Sequence, residues 1–423
     1  MSDSSQTDVP GNRRVYLDNA ATSFPKPPAV TEAMSRYATE LGASPGRGAY
    51  FESLEGAAII RRCREAINEL IGGASPEHIT FTLNTSDALN LAIHGLVQRR
   101  RRRLIERGDD DQTIHLVTTE ADHNSILRPF NHLQGDPVGP RVEWTCVPVS
   151  PLTGKAEPDD LRRAIRRETT LVAVQHASNV TGVIQPVGEF GAVCRDLGVP
   201  MLVDAAQTIG RLPIDVGAMS IDLLAFPGHK HLMGPLGTGG LYMRPGLERL
   251  IDPVRQGGTG SRSEQDTQPS SLPDRYEPGS HNTVGLAGLE AGVRWVLDRT
   301  VDEIRLHEER LIEQTVRVLS SKRTFPGLRL IGPRPKHGVE SRVGVFSVVH
   351  EVLTPHELAG VLEGEFGVLV RAGIHCAPRM HKAVGTAEGG GAVRLSYGPF
   401  TTPEDAEYAL SALAAVCSTV AAS

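Results

Sequence analysis

The sequence predicts an α/β protein with a large, mostly parallel β-sheet followed by a smaller α+β domain. The chain has 423 residues, which is enough for two or three domains. Along its first two thirds, short apolar runs without polar alternation are separated by helical patterns, which is typical of parallel strands covered by helices on both faces. Long helical patterns and then mixed short elements fill the last third, as in an α+β domain.

Apolar patterns define the elements of the first part in chain order. Strand patterns occur at Val15–Leu17, Ile79–Leu83, Thr113–Thr118, Val142–Val149, Leu171–Gln175, Pro200–Val203, Ile221–Phe226 and Gly240–Met243. Helical patterns occur at Leu54–Leu70, Asp87–Val97, Pro158–Arg167 and Val187–Leu197. We therefore expect residues 14–285 to form the large domain, and residues 1–13, which are polar, to be disordered.

A long polar segment separates the two predicted domains. Gln256–Asn282 is rich in Gly, Ser, Pro, Asp and Arg, and a loop of this length in a compact protein is usually functional or mobile. Beyond it, Leu286–Val318 has the pattern of long helices. Further strands and helices are predicted at Val343–Val349, Pro355–Glu363, Gly367–Arg371, Val393–Ser396 and Pro403–Val420. Residues 286–423 are therefore expected to form the smaller domain.

Composition and charge exclude several classes of protein. The hydrophobic fraction is 39%, the charged fraction 22% and the net charge −6, which argues against disorder and gives no electrostatic reason to expect nucleic acid. Neither a membrane span nor a signal-peptide pattern is visible, and five scattered cysteines form no C-x-x-C pair. We expect a cytoplasmic protein without a membrane or nucleic-acid partner. The run Arg99–Arg103 is interpreted as a solvated helix end rather than a nucleic-acid patch.

Polar side chains follow five predicted strands, at the edge where the carboxyl ends of parallel strands meet and where open α/β sheets bind ligands. They are the helix start Asn84–Asp87, His123, Asn179, Asp204 and Lys230. A helix start with free N–H groups suits a phosphate, although plain N-capping is the commoner use of such residues. Singly, Asp204 could be a cap, Lys230 a surface residue and His123 a core histidine. Their joint occurrence at strand ends favours one binding site.

This set of residues matches what pyridoxal phosphate requires of a protein. A lysine forms a Schiff base with the cofactor, and an aspartate pairs with the protonated pyridine nitrogen. A flat group covers the ring, and a helix N-terminus holds the phosphate. Only 6 of the 44 basic residues are lysines, so a lysine within such a set has little chance of being accidental.

Ten motifs, in order from Val15 to the end, resemble the class V aminotransferase-like family of fold-type I pyridoxal-phosphate (PLP) enzymes, in its cysteine desulfurase and selenocysteine lyase branch. They are YLDNAAT (16–22), GASPGRGAY (42–50), FTLNTSDALNLA (81–92), ADHNSILRP (121–129), QHASNVTG (175–182), LVDAAQTIG (202–210), GHKHLMGPLGTGGLY (228–242), EPGSHNT (277–283), RAGIHCAP (371–378) and VRLSYGPF (393–400). The resemblance implies a PLP-dependent transferase fold and a cysteine desulfurase activity.

The resemblance also implies a role for each matching residue. The implied cofactor-binding residues are Thr85, Ser86, His123, Asn179, Asp204, Gln207, His229, Lys230 and Ser280. Lys230 would form the Schiff base, Asp204 would pair with the pyridine nitrogen, and His123 would stack on the ring and move protons. Ser280 would reach the phosphate of the other subunit, which would make a homodimer part of the active site.

Cys376 is implied to be the nucleophile that takes the sulfur of L-cysteine as a persulfide and leaves L-alanine. The substrate would be bound by Asn179, Arg394 and Arg371, and a sulfur-acceptor protein is a possible partner. From the residues alone, a free cysteine is most often an inert core residue, but cationic neighbours favour its reactive thiolate form. A zinc site formed by His375, Cys376 and His381 is the rival interpretation, and it lacks a fourth ligand.

Three positions depart from the family pattern, and two other functions stay open. Pro227 stands where relatives usually carry a hydroxyl residue, and Ile374 stands where they often carry a second histidine. Ser280 stands where threonine is common. The alternative enzyme is a PLP-dependent C–S or C–Se β-lyase on a cysteine conjugate or selenocysteine, which does not need Cys376. An inactive scaffold is disfavoured because Lys230 and its partners are intact.

Overall fold

The helices and strands of the computed structural model lie within the residues that it describes, which are 13–46, 48–321 and 323–422. The first part contains β1 (Val15–Tyr16), α1 (Pro28–Arg36), α2 (Phe51–Leu70), β2 (Ile79–Thr82), α3 (Thr85–Arg107), β3 (Ile114–Thr119), α4 (Asn124–Gly135), β4 (Val142–Val147), α5 (Pro158–Ala164), β5 (Thr169–Gln175), α6 (Val187–Leu197), β6 (Met201–Asp204), β7 (Leu223–Pro227) and β8 (Gly239–Met243). The second contains α7 (Thr283–Arg299), α8 (Val301–Leu319), β9 (Leu328–Ile331), β10 (Val345–His350), α9 (Pro355–Phe366), β11 (Val368–Leu369), β12 (Arg371–Gly373), α10 (Pro378–Ala383), β13 (Ala392–Ser396) and α11 (Pro403–Ala422).

A seven-stranded sheet forms the centre of the large domain, with the order β2-β8-β7-β6-β5-β3-β4. Its pairs are parallel except those of β8, which runs antiparallel to β7 and β2. Strands β5 and β6 are apolar on both faces because two separate core clusters cover the two sides of the sheet. The register pairs Gln175 with Asp204 and Asp204 with Ala225, so the ends of these strands lie side by side. The predicted fold class is confirmed.

The smaller domain is built on a four-stranded antiparallel sheet with the order β12-β13-β10-β9. Near the N-terminus, β1 pairs in parallel with β11, and Val15 and Leu17 lie in the core of this domain. In contrast, Leu286 and Leu289 of α7 pack into the core of the large sheet. The partition into 14–285 and 286–423 stays a prediction. Of the residues expected to be disordered, 1–12 lie outside the described residues.

Some element bounds differ from the sequence prediction for identifiable reasons. Helix α3 does not end near Arg99–Arg103 but continues to Arg107 and ends at the left-handed Gly108. Arginine favours helices, and Arg101 and Arg102 form ion pairs with Asp136 and Asp252, so the run lies inside the helix. The single strand predicted near 367–371 is two strands, β11 and β12, that belong to different sheets.

Two further features bear on the predicted loops and partners. Residues 256–282 contain no helix or strand, as expected for the long polar loop. Among the described residues, none of the helices is long and apolar enough to cross a membrane.

Candidate active site

A cavity of about 320 Å³ lies beyond the carboxyl ends of the central strands. Its volume is within the usual range for a small-molecule site. The lining residues are Asn84, Thr85, Ser86, His123, Ser125, Gln175, Ala177, Asn179, Asp204, Ala206, Gln207, His229 and Lys230. The structure therefore brings together eight of the nine residues that the sequence predicted for the cofactor, and Ser280 is the exception.

One end of the cavity is suited to a phosphate group. The side chain of Asn84 caps α3 by accepting a hydrogen bond from the N–H of Asp87, so the first turn with Thr85 and Ser86 faces the cavity. A helix N-terminus carries partial positive charge and free N–H groups. The hydroxyl of Ser86 lies 2.6 Å from that of Ser125, and His229 lines the same cavity.

Asp204 and Lys230 place two opposite charges in the buried floor of the cavity. One carboxylate oxygen of Asp204 accepts a hydrogen bond from the N–H of Ala206 at 2.9 Å, and burial raises the pKa of this carboxyl. Burial lowers the pKa of Lys230 to about 8, although the negative charge of Asp204 acts to raise it. Gly228 permits the turn that leads to the lysine, because a Cβ there would lie 2.1 Å from the hydroxyl oxygen of Thr238.

His123 is a neutral ring at the start of α4. Burial and, next, the charge of Lys230 lower its pKa to about 4. Its Nδ1 accepts a hydrogen bond from the backbone N–H of Ser125 at 3.1 Å, which caps the helix. Because Nδ1 is an acceptor and the ring is neutral, the proton is on Nε2.

Three buried polar atoms of the cavity have no hydrogen-bond partner in the described part of the chain. They are Oδ1 of Asn179, Oε1 of Gln207 and Nδ1 of His229. Buried polar atoms are rarely left unpaired, so these atoms point to a polar ligand. Together with the buried aspartate, the lysine of lowered pKa and the helix N-terminus, they fit pyridoxal phosphate.

Two arginines of neighbouring strands lie close enough to Lys230 and His123 for their positive charges to lower the pKa of both groups. Arg394 of β13 is 1% exposed, and its register partner on β12 is Arg371. Arg394 donates to Oδ1 of Asp18 at 2.6 Å and to the carbonyl oxygen of Asn179 at 3.3 Å. Its Nε has no partner among the described residues. A guanidinium with an open donor is suited to a carboxylate ligand.

Cys376 is exposed at the edge of a cleft of about 580 Å³ that adjoins the cofactor cavity. The two spaces share Ser86, His123 and Ser125. The cleft also reaches His94 and Arg128. Lys230 thus lines one of two adjacent spaces, and Cys376 lines the other.

Two hydrogen bonds fix the backbone around Cys376. Asn179 Nδ2 donates to the carbonyl oxygen of His375 at 2.7 Å, and the N–H of Asn124 donates to that of Cys376 at 2.8 Å. His375 and Cys376 have φ values of 51° and 57°, which are costly for residues other than glycine and persist only when neighbours impose them.

The histidines of the rival zinc interpretation have other contacts. Nδ1 of His375 lies 3.3 Å from Nε2 of His381, and Nδ1 of His381 lies 2.7 Å from the hydroxyl of Thr386. Within the described residues, no group of three or more His, Cys, Asp or Glu is arranged to hold a metal ion.

Ser280 lies in a different cleft, beside Arg255 and Asn282. Its implied role at the phosphate of another subunit stays a prediction. The sequence reasoning missed Ser125 and Asp18, although both are within the quoted motifs. A signal for Ser125 was available, because this serine lies two residues after His123 at the start of a helix. For Asp18 there was no signal, since its partner Arg394 is 376 residues away.

The family model described as "Aminotransferase class-V" matches residues 15–409. The chain belongs to this family. This match includes both the seven-stranded and the four-stranded sheet, so the predicted family, fold class and enzyme class are confirmed.

Several relatives of this chain are named as cysteine desulfurases. The chain is 34% identical over 402 residues to a probable cysteine desulfurase of Methanothermobacter thermautotrophicus, covering 94% of each chain. It is 32% identical over 372 residues to a cysteine desulfurase of Yersinia pseudotuberculosis, covering 87% of this chain and 86% of that one. The apo structure of cysteine desulfurase from Thermococcus onnurineus superposes with a TM-score of 0.85 at 31% identity, covering 96% and 95% of the two chains.

Proposed function

We propose that this protein is a PLP-dependent cysteine desulfurase that converts L-cysteine to L-alanine and takes the sulfur onto Cys376 as a persulfide. The observation that carries the proposal is the exposed thiol of Cys376 in a cleft that shares Ser86, His123 and Ser125 with the cavity of Lys230. An eliminating lyase needs the lysine but has no use for a cysteine held at the edge of its cavity. The names of the relatives support the same activity.

The cofactor would be held by residues at both ends of the cavity. Thr85, Ser86 and His229 would bind its phosphate, Asp204 its pyridine nitrogen, and Lys230 would link to it covalently. When bound, pyridoxal phosphate supplies an electron sink for the bond-breaking at the substrate's Cα. Asp204 would keep the pyridine nitrogen protonated, and Gln207 would use its unpaired Oε1 toward the ring hydroxyl.

Two groups would handle protons near the substrate. The Lys230 amine, with a pKa of about 8, is partly neutral at physiological pH and can accept the Cα proton. His123 presents Nε2–H and can donate a proton, because its Nδ1 is occupied as an acceptor. Arg394, with its unpaired Nε, would bind the substrate carboxylate together with Asn179 and Arg371.

Sulfur transfer requires a nucleophile beside the substrate thiol. The Cys376 thiolate would attack the substrate sulfur, forming an S–S bond while the C–S bond breaks. The electron pair of the broken bond stays with the carbon fragment, which becomes alanine after protonation. The two hydrogen bonds that fix the Cys376 backbone would hold the sulfur in place for this attack.

Four further features complete the proposal. The protein would act as a homodimer in which Ser280 contributes to the phosphate site of the partner, and an acceptor protein would remove sulfur from the exposed Cys376. It would act in the cytoplasm, where reducing conditions keep this cysteine a free thiol.

Because Pro227 supplies no hydroxyl to the phosphate site, we propose that Ser125, next to Ser86, supplies it.

Product analysis with L-cysteine tests the activity. The wild type is expected to yield alanine, and Cys376→Ser should lose alanine formation while it keeps its cofactor. Cys146→Ser is the matched control, since Cys146 is another thiol of the chain and should tolerate the change. Pyruvate as the main wild-type product, with Cys376→Ser unaffected, would contradict the desulfurase and indicate the β-lyase.

A further inference from the structure

The segment of residues 18–26, which we call the N-terminal strap, connects the smaller domain to the Lys230 peptide. On the small-domain side, the N–H of Asn19 donates to the carbonyl oxygen of Ser396 at 3.3 Å, and that of Ala20 donates to the Ser396 hydroxyl at 2.9 Å. On the other side, Gln207 Nε2 donates to the carbonyl oxygen of Ala20 at 3.0 Å. The strap therefore joins the two halves of the active site.

The end of the strap converges on the residues around the catalytic lysine. The carbonyl oxygen of His229 accepts from the Thr22 hydroxyl at 3.0 Å, from the Ser23 N–H at 3.1 Å and from Lys26 Nζ at 2.8 Å. The Ser23 hydroxyl donates to the carbonyl oxygen of Lys230 at 2.6 Å. Movement of the strap would thus shift the backbone at Lys230.

The first residue of the strap, Asp18, forms an ion pair with Arg394, the arginine that is expected to bind the substrate. Asp18 Oδ1 lies 2.6 Å from a terminal nitrogen of Arg394, whose side chain is 1% exposed. A buried guanidinium needs a counter-ion, and Asp18 is its only ion-pair partner in the described residues. Asp18 therefore holds the position and charge balance of Arg394 before a substrate arrives.

We propose that Asp18 is a positioning residue that holds Arg394 in the free enzyme and competes with the substrate carboxylate for its charge, which couples carboxylate binding to the N-terminal strap. This inference rests on the proposed role of Arg394 in the desulfurase. An incoming carboxylate can use the unpaired Nε, but it brings a second negative charge to one guanidinium. The two carboxylates then repel each other across this guanidinium, so the strap is held less firmly at its start. By linkage, removing the Asp18 charge while keeping its acceptor oxygen is expected to strengthen carboxylate binding.

The test measures ligand affinity of the holoenzyme by calorimetry, without turnover. The probe is 3-mercaptopropionate, which has a carboxylate and a thiol but no amine, and 2-mercaptoethanol is the ligand without a carboxylate. Asp18→Asn keeps an acceptor oxygen for Arg394 and removes only the charge. We expect it to bind 3-mercaptopropionate at least threefold more tightly and 2-mercaptoethanol as the wild type does. Glu363→Gln, which alters the exposed ion pair with Arg14, should change neither affinity.

Unchanged or weaker binding of 3-mercaptopropionate by folded Asp18→Asn would overturn the proposal. Hydrogen exchange of the wild type is a second measurement that does not depend on how the variant folds. Adding 3-mercaptopropionate should speed exchange at the amides of Asn19, Ala20 and Ser23, and unchanged or slower exchange there would also overturn it. These results do not depend on whether the protein makes alanine, so they are separate from the test of the desulfurase activity.

Discussion

Burial of Lys230 should make the cofactor-free protein capture pyridoxal phosphate at a lower pH than an ordinary lysine allows. The amine reacts only when neutral, and the neutral fraction rises with pH through the pKa. With a pKa of about 8 instead of 10.5, the neutral fraction at pH 7.5 is about 24% rather than about 0.1%, a gain of roughly 200-fold. Burial causes this shift, and the charge of Asp204 opposes it.

The assay follows the visible absorbance of the cofactor as it binds to stripped protein between pH 6 and 11. We expect the capture rate to rise with pH and to level off above about 9, with a midpoint near 8. Asp204→Asn removes the opposing charge, so its midpoint should move lower. A wild-type midpoint near the ordinary lysine value, or an upward shift in Asp204→Asn, would show that burial does not lower the pKa of Lys230 in this way.

Three further substitutions test two residues of the site and one buried ion pair of the fold. Lys230→Arg should abolish both covalent cofactor attachment and turnover, because arginine stays protonated, and normal turnover would remove the assignment. Ser125→Ala should weaken cofactor retention about fivefold through one lost hydrogen bond, while Ser125→Thr keeps it; equal retention by both in equilibrium dialysis would contradict the phosphate role. Glu277→Ala should lower the free energy of unfolding by about 3–5 kcal/mol, because it leaves Arg64 buried without its ion-pair partner. Denaturant titrations measure this loss, and Glu363→Ala, which breaks an exposed ion pair, should change the free energy of unfolding by less than about 0.5 kcal/mol. Equal losses in the two variants would contradict a special role for the buried pair.

The cavity could be predicted from the sequence because the residues that follow successive parallel strands meet at one edge of the sheet. Asp204 follows a buried strand and Lys230 follows the next one, so a parallel sheet brings them to one edge. The same reasoning could not find the pair of Asp18 and Arg394. These residues meet only because β1 joins the smaller domain, which is a long-range pairing with no local pattern.

Local geometry was harder to predict than the placement of the strands. The left-handed backbone at His375 and Cys376 is imposed by hydrogen bonds from Asn179 and Asn124, which lie far away in sequence. Cysteine does not favour that conformation, and histidine adopts it in only a small minority of cases. Similarly, the length of α3 depends on the partners of its arginines, which belong to other elements.

The most direct test of the central claim is mass spectrometry of the Cys376 peptide after a brief reaction with L-cysteine. We expect this peptide to gain the mass of one sulfur atom, a reductant to remove the gain, and one alanine to form for each sulfur gained. Cys376→Ser should show no gain on any peptide. A sulfur gain on another cysteine, or alanine formed without any persulfide, would contradict the account.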